Sequence, residues 1–441
     1  QKAVITCFFV FPCFPENRFV RINTYPRKGG AILMKFFPAE SRRICGGSSL
    51  LAFLILLAGL TAILYAQKNI YQYLLYSDSF ETYGFVSQNQ LERELAQIVL
   101  ERGDGYVTQA DLDTLRERLP DAEKLEDFFQ TNKECHTLGI SSVADYDALQ
   151  EAIQKASEEE DPGIDELYAI DEAVYGILEK ADLLMEENMH RSANSSFQQL
   201  QKAFDSRQEV NPYIFESYSE RQKARMEEIL SGSMSSPLPS LVSTVVYAYA
   251  VPYTFFALCC LIFLFLPCVW SSRSRKVHLL QYTCREGRAL LRAEFQAAAA
   301  IASLLMLIFV VPVFLVYAKD GIVSYWNLPL MGFLNDFLFY WVDFTLGGYI
   351  SLLFLLWFIT GLGLSLLSMC ISRLCRNFTA CVAFSLLLVV LAYFVWEWIF
   401  NKGFRLENPP WVETLLSVFT LLLGVFGAWF LSHREKRIDI S

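Results

Sequence analysis

The sequence predicts an all-α polytopic membrane protein with six transmembrane helices and a large α-helical extracytoplasmic domain between the first and second. Three observations carry that reading. Six apolar stretches of 18 residues or more punctuate the chain, a long acidic segment separates the first from the other five, and basic residues gather in the short connections. An α-helix rises about 1.5 Å per residue, so such a stretch crosses about 30 Å of hydrocarbon. The composition, 54% hydrophobic and 15% aromatic, suits a membrane protein carrying one water-exposed domain.

In chain order, residues 1–33 are expected to be a non-native upstream extension. The apolar run Ala3–Phe14 is too short to span, is broken by Pro12 and lacks a small-residue cleavage site, which argues against a signal peptide. Lys28-Gly29-Gly30 can be encoded as AAA GGA GGN, a bacterial ribosome-binding sequence just upstream of Met34. A genuine basic leader is the alternative. Residues 34–48 form a basic amphipathic start, and Ser49–Ala66 is the first span. Residues 67–240 form the extracytoplasmic domain. The remaining spans lie within 241–432, as Leu241–Trp270, Ala297–Ala318, Leu346–Ile371, Phe378–Phe400 and Thr414–Ser432, with a cytoplasmic loop at 271–296 and a tail at 433–441.

Charge placement orients these elements. The net charge of −10 hides a split: residues 67–240 hold 35 acidic and 15 basic side chains, the rest of the chain 12 and 22. The basic ones sit in short connections, at Lys35, Arg42 and Arg43, at Arg273–Arg292, at Arg373 and Arg376, and at Arg434–Arg437. The positive-inside rule then puts both termini in the cytoplasm and the acidic domain outside a bacterial plasma membrane. Ile322–Val342 is apolar enough to suggest a seventh helix, but Asn335 and Asp336 sit at its middle. A central aspartate costs about 2.5–3.5 kcal/mol on insertion scales. That segment reads as an outer loop or shallow re-entrant helix, with Tyr325, Trp326, Tyr340 and Trp341 at the headgroups and Trp396, Trp398 and Trp411 doing the same for the next loop. Of the 11 cysteines, Cys135 alone falls in the outer domain, which therefore holds no internal disulfide. That fits a bacterial exterior better than a eukaryotic secretory pathway.

The outer domain reads as helical. Leu91, Leu95, Ile98 and Val99 make one apolar stripe, Leu112, Leu115 and Leu119 another. Leu167, Ile170, Val174, Ile177, Ala181 and Leu184 repeat at helical spacing, Phe197, Leu200 and Phe204 open a further helix, and Asp161-Pro162-Gly163 marks a turn. Asp104-Gly105-Tyr106-Val107-Thr108 with Asp111 mimics half a calcium loop, but the first and third ligand positions are Leu100 and Arg102. A turn at Gly105 and a capping box of Thr108 with Asp111 is the plainer account. Cys135-His136 lacks a second pair at zinc spacing, and Asn194-Ser195-Ser196 is a glycosylation sequon by pattern only. No metal, cofactor or nucleic acid is called for.

The span interiors carry no formal charge apart from Glu397 near an outer end. Ion-driven transport and intramembrane catalysis need buried acids, bases or ligands there, so both are disfavoured. The chain holds no Gly-x-x-x-x-Gly-Lys-Ser/Thr loop and is expected not to be an enzyme; Leu230-Ser231-Gly232-Ser233 echoes an ATPase signature by chance. Arg273–Glu294 offers six basic residues against two acidic ones, with Leu279, Leu280, Leu290 and Leu291 as apolar faces. It reads either as an anchor at lipid headgroups or as a docking helix for a soluble ATPase.

Here the chain resembles a known family. Tyr282-Thr-Cys-Arg-Glu-Gly-Arg288, followed by a basic amphipathic stretch, is similar to the first cytoplasmic loop of bacterial permeases of the type-2 ABC exporter superfamily, many Firmicutes members of which carry Tyr-Ser/Thr-x-x-x-Gly-Arg. The resemblance extends in architecture from Met34 to the C-terminus. It implies a permease without its own ATPase, coupled through Tyr282, Arg285, Gly287, Arg288 and Arg292 to a cytoplasmic ATP-binding-cassette subunit. It also implies a homo- or heterodimeric core in the lipid bilayer. The function expected is export of an amphipathic or hydrophobic substrate, with peptide antibiotics the preferred guess. The alternatives are an ATPase-driven mechanotransmitter and a non-transporting sensor or scaffold.

Overall fold

The structure, a computed structural model, describes residues 58–62, 86–103, 105–120, 122–158, 163–207, 216–231, 235–274, 287–334, 339–375 and 377–436. Of the first span only 58–62, a helical stretch, falls among them; residues 1–48 lie outside, as does the end of the tail.

A helical domain comes first. Its helices are α1 (Gln88–Arg102), α2 (Gln109–Glu117), α3 (Glu123–Thr131), α4 (Lys133–Thr137), α5 (Val143–Glu158), α6 (Ile164–Lys180), α7 (Leu184–Asp205) and α8 (Glu220–Ser231). Local chemistry fixes the ends. Ser87 and Gln90 form a reciprocal capping box at the start of α1, and Gly103 closes it at φ 89°, a left-handed conformation that only glycine adopts without strain. Thr108 and Asp111 cap α2 as their spacing predicts, the Thr108 amide donating to Asp111 Oδ2 at 2.7 Å. Arg102, at the position a calcium loop would give to a ligand, instead meets Asp111 at 2.6 Å.

Two small cores result. Leu91, Leu95, Val99, Leu112, Leu115, Phe197, Leu200 and Phe204 bring α1, α2 and α7 together, while Leu125, Phe129, Cys135, Tyr146, Val174 and Leu178 join α3 to α6. The stripe Leu167–Leu184 is not one helix: α6 stops at Lys180, and Asp182 turns the chain at φ 59°. The Leu183 amide folds back onto the Leu178 carbonyl at 3.1 Å, and a short aspartate tolerates the left-handed turn. Leu184 therefore opens α7, and Phe197, Leu200 and Phe204 fall in its second half instead of starting a helix.

Among the described residues five helices are long and apolar enough to cross a membrane, and they form the second part. They are α9 (Ser240–Ser274), α10 (Gly287–Lys319), α11 (Leu346–Leu374), α12 (Phe378–Phe400) and α13 (Val412–Lys436). The helix α11 is central. It runs parallel to α9, because Trp357 Nε1, Ser368 Oγ and Ser372 Oγ donate in order to the carbonyls of Thr254, Ile262 and Leu266. It crosses α13 where Gly363 meets the backbone of Thr420 and Leu421, and Gly424 meets the Gly363 carbonyl. Helices α10 and α12 run the other way, with Phe314 and Phe400 against Phe354.

The two parts are bolted together. Ser240, the first residue of α9, donates its amide and hydroxyl to Glu92 of α1 at 2.9 and 2.8 Å, and Val107 donates to the Ser235 carbonyl at 2.6 Å. Residues 320–345 hold no long helix among those described, only a 3₁₀ turn at Ile322–Tyr325 and two isolated bridges. Of its aromatics, Tyr325 and Tyr340 are buried and Trp326 and Trp341 half-buried, and Phe333 and Leu334 complete the first core of the helical domain. Trp396 likewise points inward, its Nε1 donating to Thr254 Oγ1 at 3.0 Å, whereas Trp411 is exposed. The reason is that indole N–H groups in an apolar medium seek acceptors, and the bundle supplies one.

Candidate functional site

Of the segment singled out for coupling, Gly287–Glu294 lies at the end of the bundle away from the helical domain. Tyr282 and Arg285 fall outside the described residues. Gly287 and Arg288 begin α10, which continues without a break into the membrane stretch, so the described parts of the segment expected as a loop at 271–296 are helical, up to Ser274 and from Gly287. Arg292 is exposed while its neighbours Leu291, Ala293, Glu294 and Phe295 are buried. Over Leu291–Phe295 the helix thus presents a basic side chain outward and packs the residues on either side of it. Arg373, counted from sequence among the loop charges, is buried in the last turn of α11. Sequence reading also passed over two buried acids. Glu294 had been placed on the basic segment, and Glu413 lay one residue outside the sixth apolar stretch.

Glu413 belongs to the opposite end, where a closed collar caps the bundle. Its carboxylate, in the first turn of α13, accepts from the Phe404 amide at 3.2 Å. Two connections pair above it. The Trp341 amide donates to the Phe404 carbonyl at 3.0 Å, the Leu406 amide to Phe339 at 2.8 Å, and Trp341 Nε1 to the Asn408 carbonyl at 2.8 Å. Beneath the pairing sits a tyrosine triad. Tyr247 of α9 lies 2.9 Å from Tyr349 of α11 and 3.5 Å from Tyr340, hydroxyl to hydroxyl, and Tyr349 donates to the Gly403 carbonyl at 3.4 Å. Phe344 packs between Tyr349 and Phe404, with ring centroids 5.7 and 5.4 Å away. Helix α8 lies across both connections. Arg225 reaches Asp343 at 2.6 Å, Gln222 Nε2 donates to the Leu406 carbonyl at 2.7 Å, and the Arg221 guanidinium stands 5.4 Å from the Trp341 ring.

Away from the bundle, α5, α6 and α7 hold a half-buried polar cluster. Tyr146 and Arg191 lie between Asp171 and Glu187, with Gln150 donating to Asp171 at 2.7 Å and Arg191 Nε 2.7 Å from Glu187. Burial pushes the Glu187 carboxyl up from its ordinary value, against the opposing pull of Arg191. Nearby, Asn194 of the sequon pattern donates to Asp147 at 3.1 Å, and Cys135 is fully buried. No group of metal-ligating side chains occurs among the described residues.

The arrangement is that of a bundle with an apolar perimeter, a closed collar at one end and a basic helix start at the other. A family model described as ABC-2 family transporter protein matches residues 48–431. The chain belongs to this family. The matched range runs from the first apolar stretch across the helical domain to the last helix. No curated protein and no solved structure matches the chain. An ABC-2 member is the membrane permease of an ABC transporter, and the family implies association with an ATP-binding subunit.

Proposed function

We propose that this permease is an exporter subunit of a bacterial plasma membrane, with the helical domain outside and both termini in the cytoplasm. A separate cytoplasmic ATPase drives it through Tyr282, Arg285, Gly287, Arg288 and Arg292, and a second permease, identical or related, completes the core. Its substrate class is amphipathic or hydrophobic, with peptide antibiotics the first to test. The observation that carries the reading is the basic start of α10, which turns Arg292 outward at the end opposite the helical domain while burying its neighbours. A docking surface for a soluble subunit needs a charged face held rigidly on the transmembrane element it is to move, and α10 is continuous from that face to Lys319.

Replacing Arg285 and Arg288 by glutamate tests it. Like charges placed in a complementary contact cost several kcal/mol. The substituted permease should reach the membrane at normal levels, since Arg273, Arg275 and Lys276 still mark the cytoplasmic side. It should no longer co-purify with its ATPase or support substrate-stimulated ATP hydrolysis. Retention of both would reduce these arginines to lipid anchors.

One observation favours a second reading, the ATPase-driven mechanotransmitter. The helical domain is held to the start of α9 at Glu92 and to the collar at Arg225 and Gln222, so motion of the bundle would be passed to it directly. A substrate found on both sides of vesicles during turnover separates transport from force transmission. The sensor or scaffold reading has no need of an ATPase, and family membership counts against it.

A further inference from the structure

We propose that α8 is a latch by which the helical domain holds the collar shut, and that the way through the bundle at this end opens between residues 339–344 and 403–408 when the latch lets go. What would pass rests on the exporter reading above; the latch itself does not. The collar is the place where the two connections meet, and the bundle beneath is closed there by side chains of a particular kind. Tyr247, Tyr340 and Tyr349 come from three different segments and satisfy one another's hydroxyls when packed. An apolar plug pulled apart would expose only hydrocarbon. Three tyrosines pulled apart expose hydroxyls that water or a polar ligand group can take over, so the seal is one that can be wetted.

The latch is suited to release. Arg225 is largely buried, with 13% of its side chain exposed, but its partner Asp343 is 75% exposed. Such a pair is screened and individually weak. Gln222 and Arg221 add a hydrogen bond to the second connection and a ring contact to the first. Three modest contacts on one helix face, all to the collar, hold it as a set and part as a set. In sequence α8 is followed by α9, which contributes Tyr247 to the triad.

The test uses the full permease, purified and placed in lipid nanodiscs so that both faces are accessible. Leu353, one turn along α11 from Tyr349 and buried beneath the triad, is replaced by cysteine. Its reaction with a small methanethiosulfonate is followed by mass spectrometry of that peptide, so the native thiols do not interfere. Asp343→Arg, a surface change that removes no packing, should raise the labelling rate, a minor open state of a few per cent growing about tenfold. Adding Arg225→Glu to it should bring the rate back towards the parent. Hydrogen exchange of residues 339–350, with no cysteine introduced, should move in parallel. An unchanged rate in Asp343→Arg overturns the latch, and so does an increase that Arg225→Glu fails to reverse. Fast labelling in the parent would show that the collar is not a seal. None of these readouts needs an ATPase, so they stand apart from the test of the coupling segment.

Discussion

Exposed side chains on the helical domain are charged or polar for the most part, whereas those on the bundle are Leu307, Leu315, Val390, Phe394, Leu422, Phe426 and their like. The difference extends inward. The helical domain is held by apolar stripes closing on small cores, with capping boxes and ion pairs at its edges. The bundle cannot rely on that contrast, because lipid is as apolar as leucine; close approach and hydrogen bonds to backbone carbonyls take over. Gly363 and Gly424 let α11 and α13 touch, and Ser368, Ser372 and Trp357 donate to carbonyls of α9. Burying hydrocarbon organises one part; shape and polar satisfaction organise the other.

The sharpest way to break the comparison is Gly363→Leu. A Cβ there would lie 2.7 Å from the Leu421 nitrogen and the Thr420 carbonyl group, which are backbone and cannot swing away. Overpacking costs about 1–3 kcal/mol and more where the backbone must shift. We expect loss of a monodisperse peak in size-exclusion chromatography, with no comparable loss for leucine at Gly176 of α6, where nothing stands within 4 Å. Phe129→Ala probes the other regime. Phe129 is fully buried in the α3–α6 core, and its truncation costs about 3–5 kcal/mol. Hydrogen exchange should accelerate across residues 123–180 and leave the bundle unchanged, since the two cores are separate.

The smallest effect concerns pH. Glu187 has a folded pKa above its ordinary value of 4.5, so the folded state binds this proton more tightly than the unfolded one. Between the two values stability falls as pH rises, and above the folded value the full penalty of the buried charge applies. Protection of α5 and α7 in hydrogen exchange should therefore increase as pH drops from neutrality towards 4.5. Glu187→Gln should flatten that part of the dependence; an unaltered profile would assign it to other groups.

Much of the fold was legible because hydropathy and helical period are strong signals. Each of the five described spans overlaps one apolar stretch, three of them running past its ends, and Leu91, Leu95, Leu112 and Leu115 are buried as their spacing predicts. What escaped was tertiary. A stripe continuing through Ala181 looked like one helix because periodicity does not register a left-handed Asp182. Tyr340 and Trp396 looked interfacial because aromatic composition does not say which way a ring turns. The collar was illegible altogether. It joins residues 339–341 to 404–408 and both to α8, contacts between distant segments that no local pattern announces. At the end proposed for coupling the residues come from the sequence motif, and the structure adds the outward Arg292 alone among their side chains.

The bond between Glu92 and Ser240 bears on how this molecule can be cut. A helix starts with backbone N–H groups that have no partner in the helix, and for α9 one of them is answered by a carboxylate 148 residues earlier in the chain. The membrane part on its own therefore loses that carboxylate at the start of α9. A shortened permease lacking α1, or a chimera carrying a relative's insert, inherits that defect unless the new insert supplies an acceptor at the same spot or a serine, asparagine or aspartate is installed ahead of Ser240 to cap the helix locally. Exchanging inserts between relatives is thus a question of matching one oxygen atom before it is a question of matching surfaces.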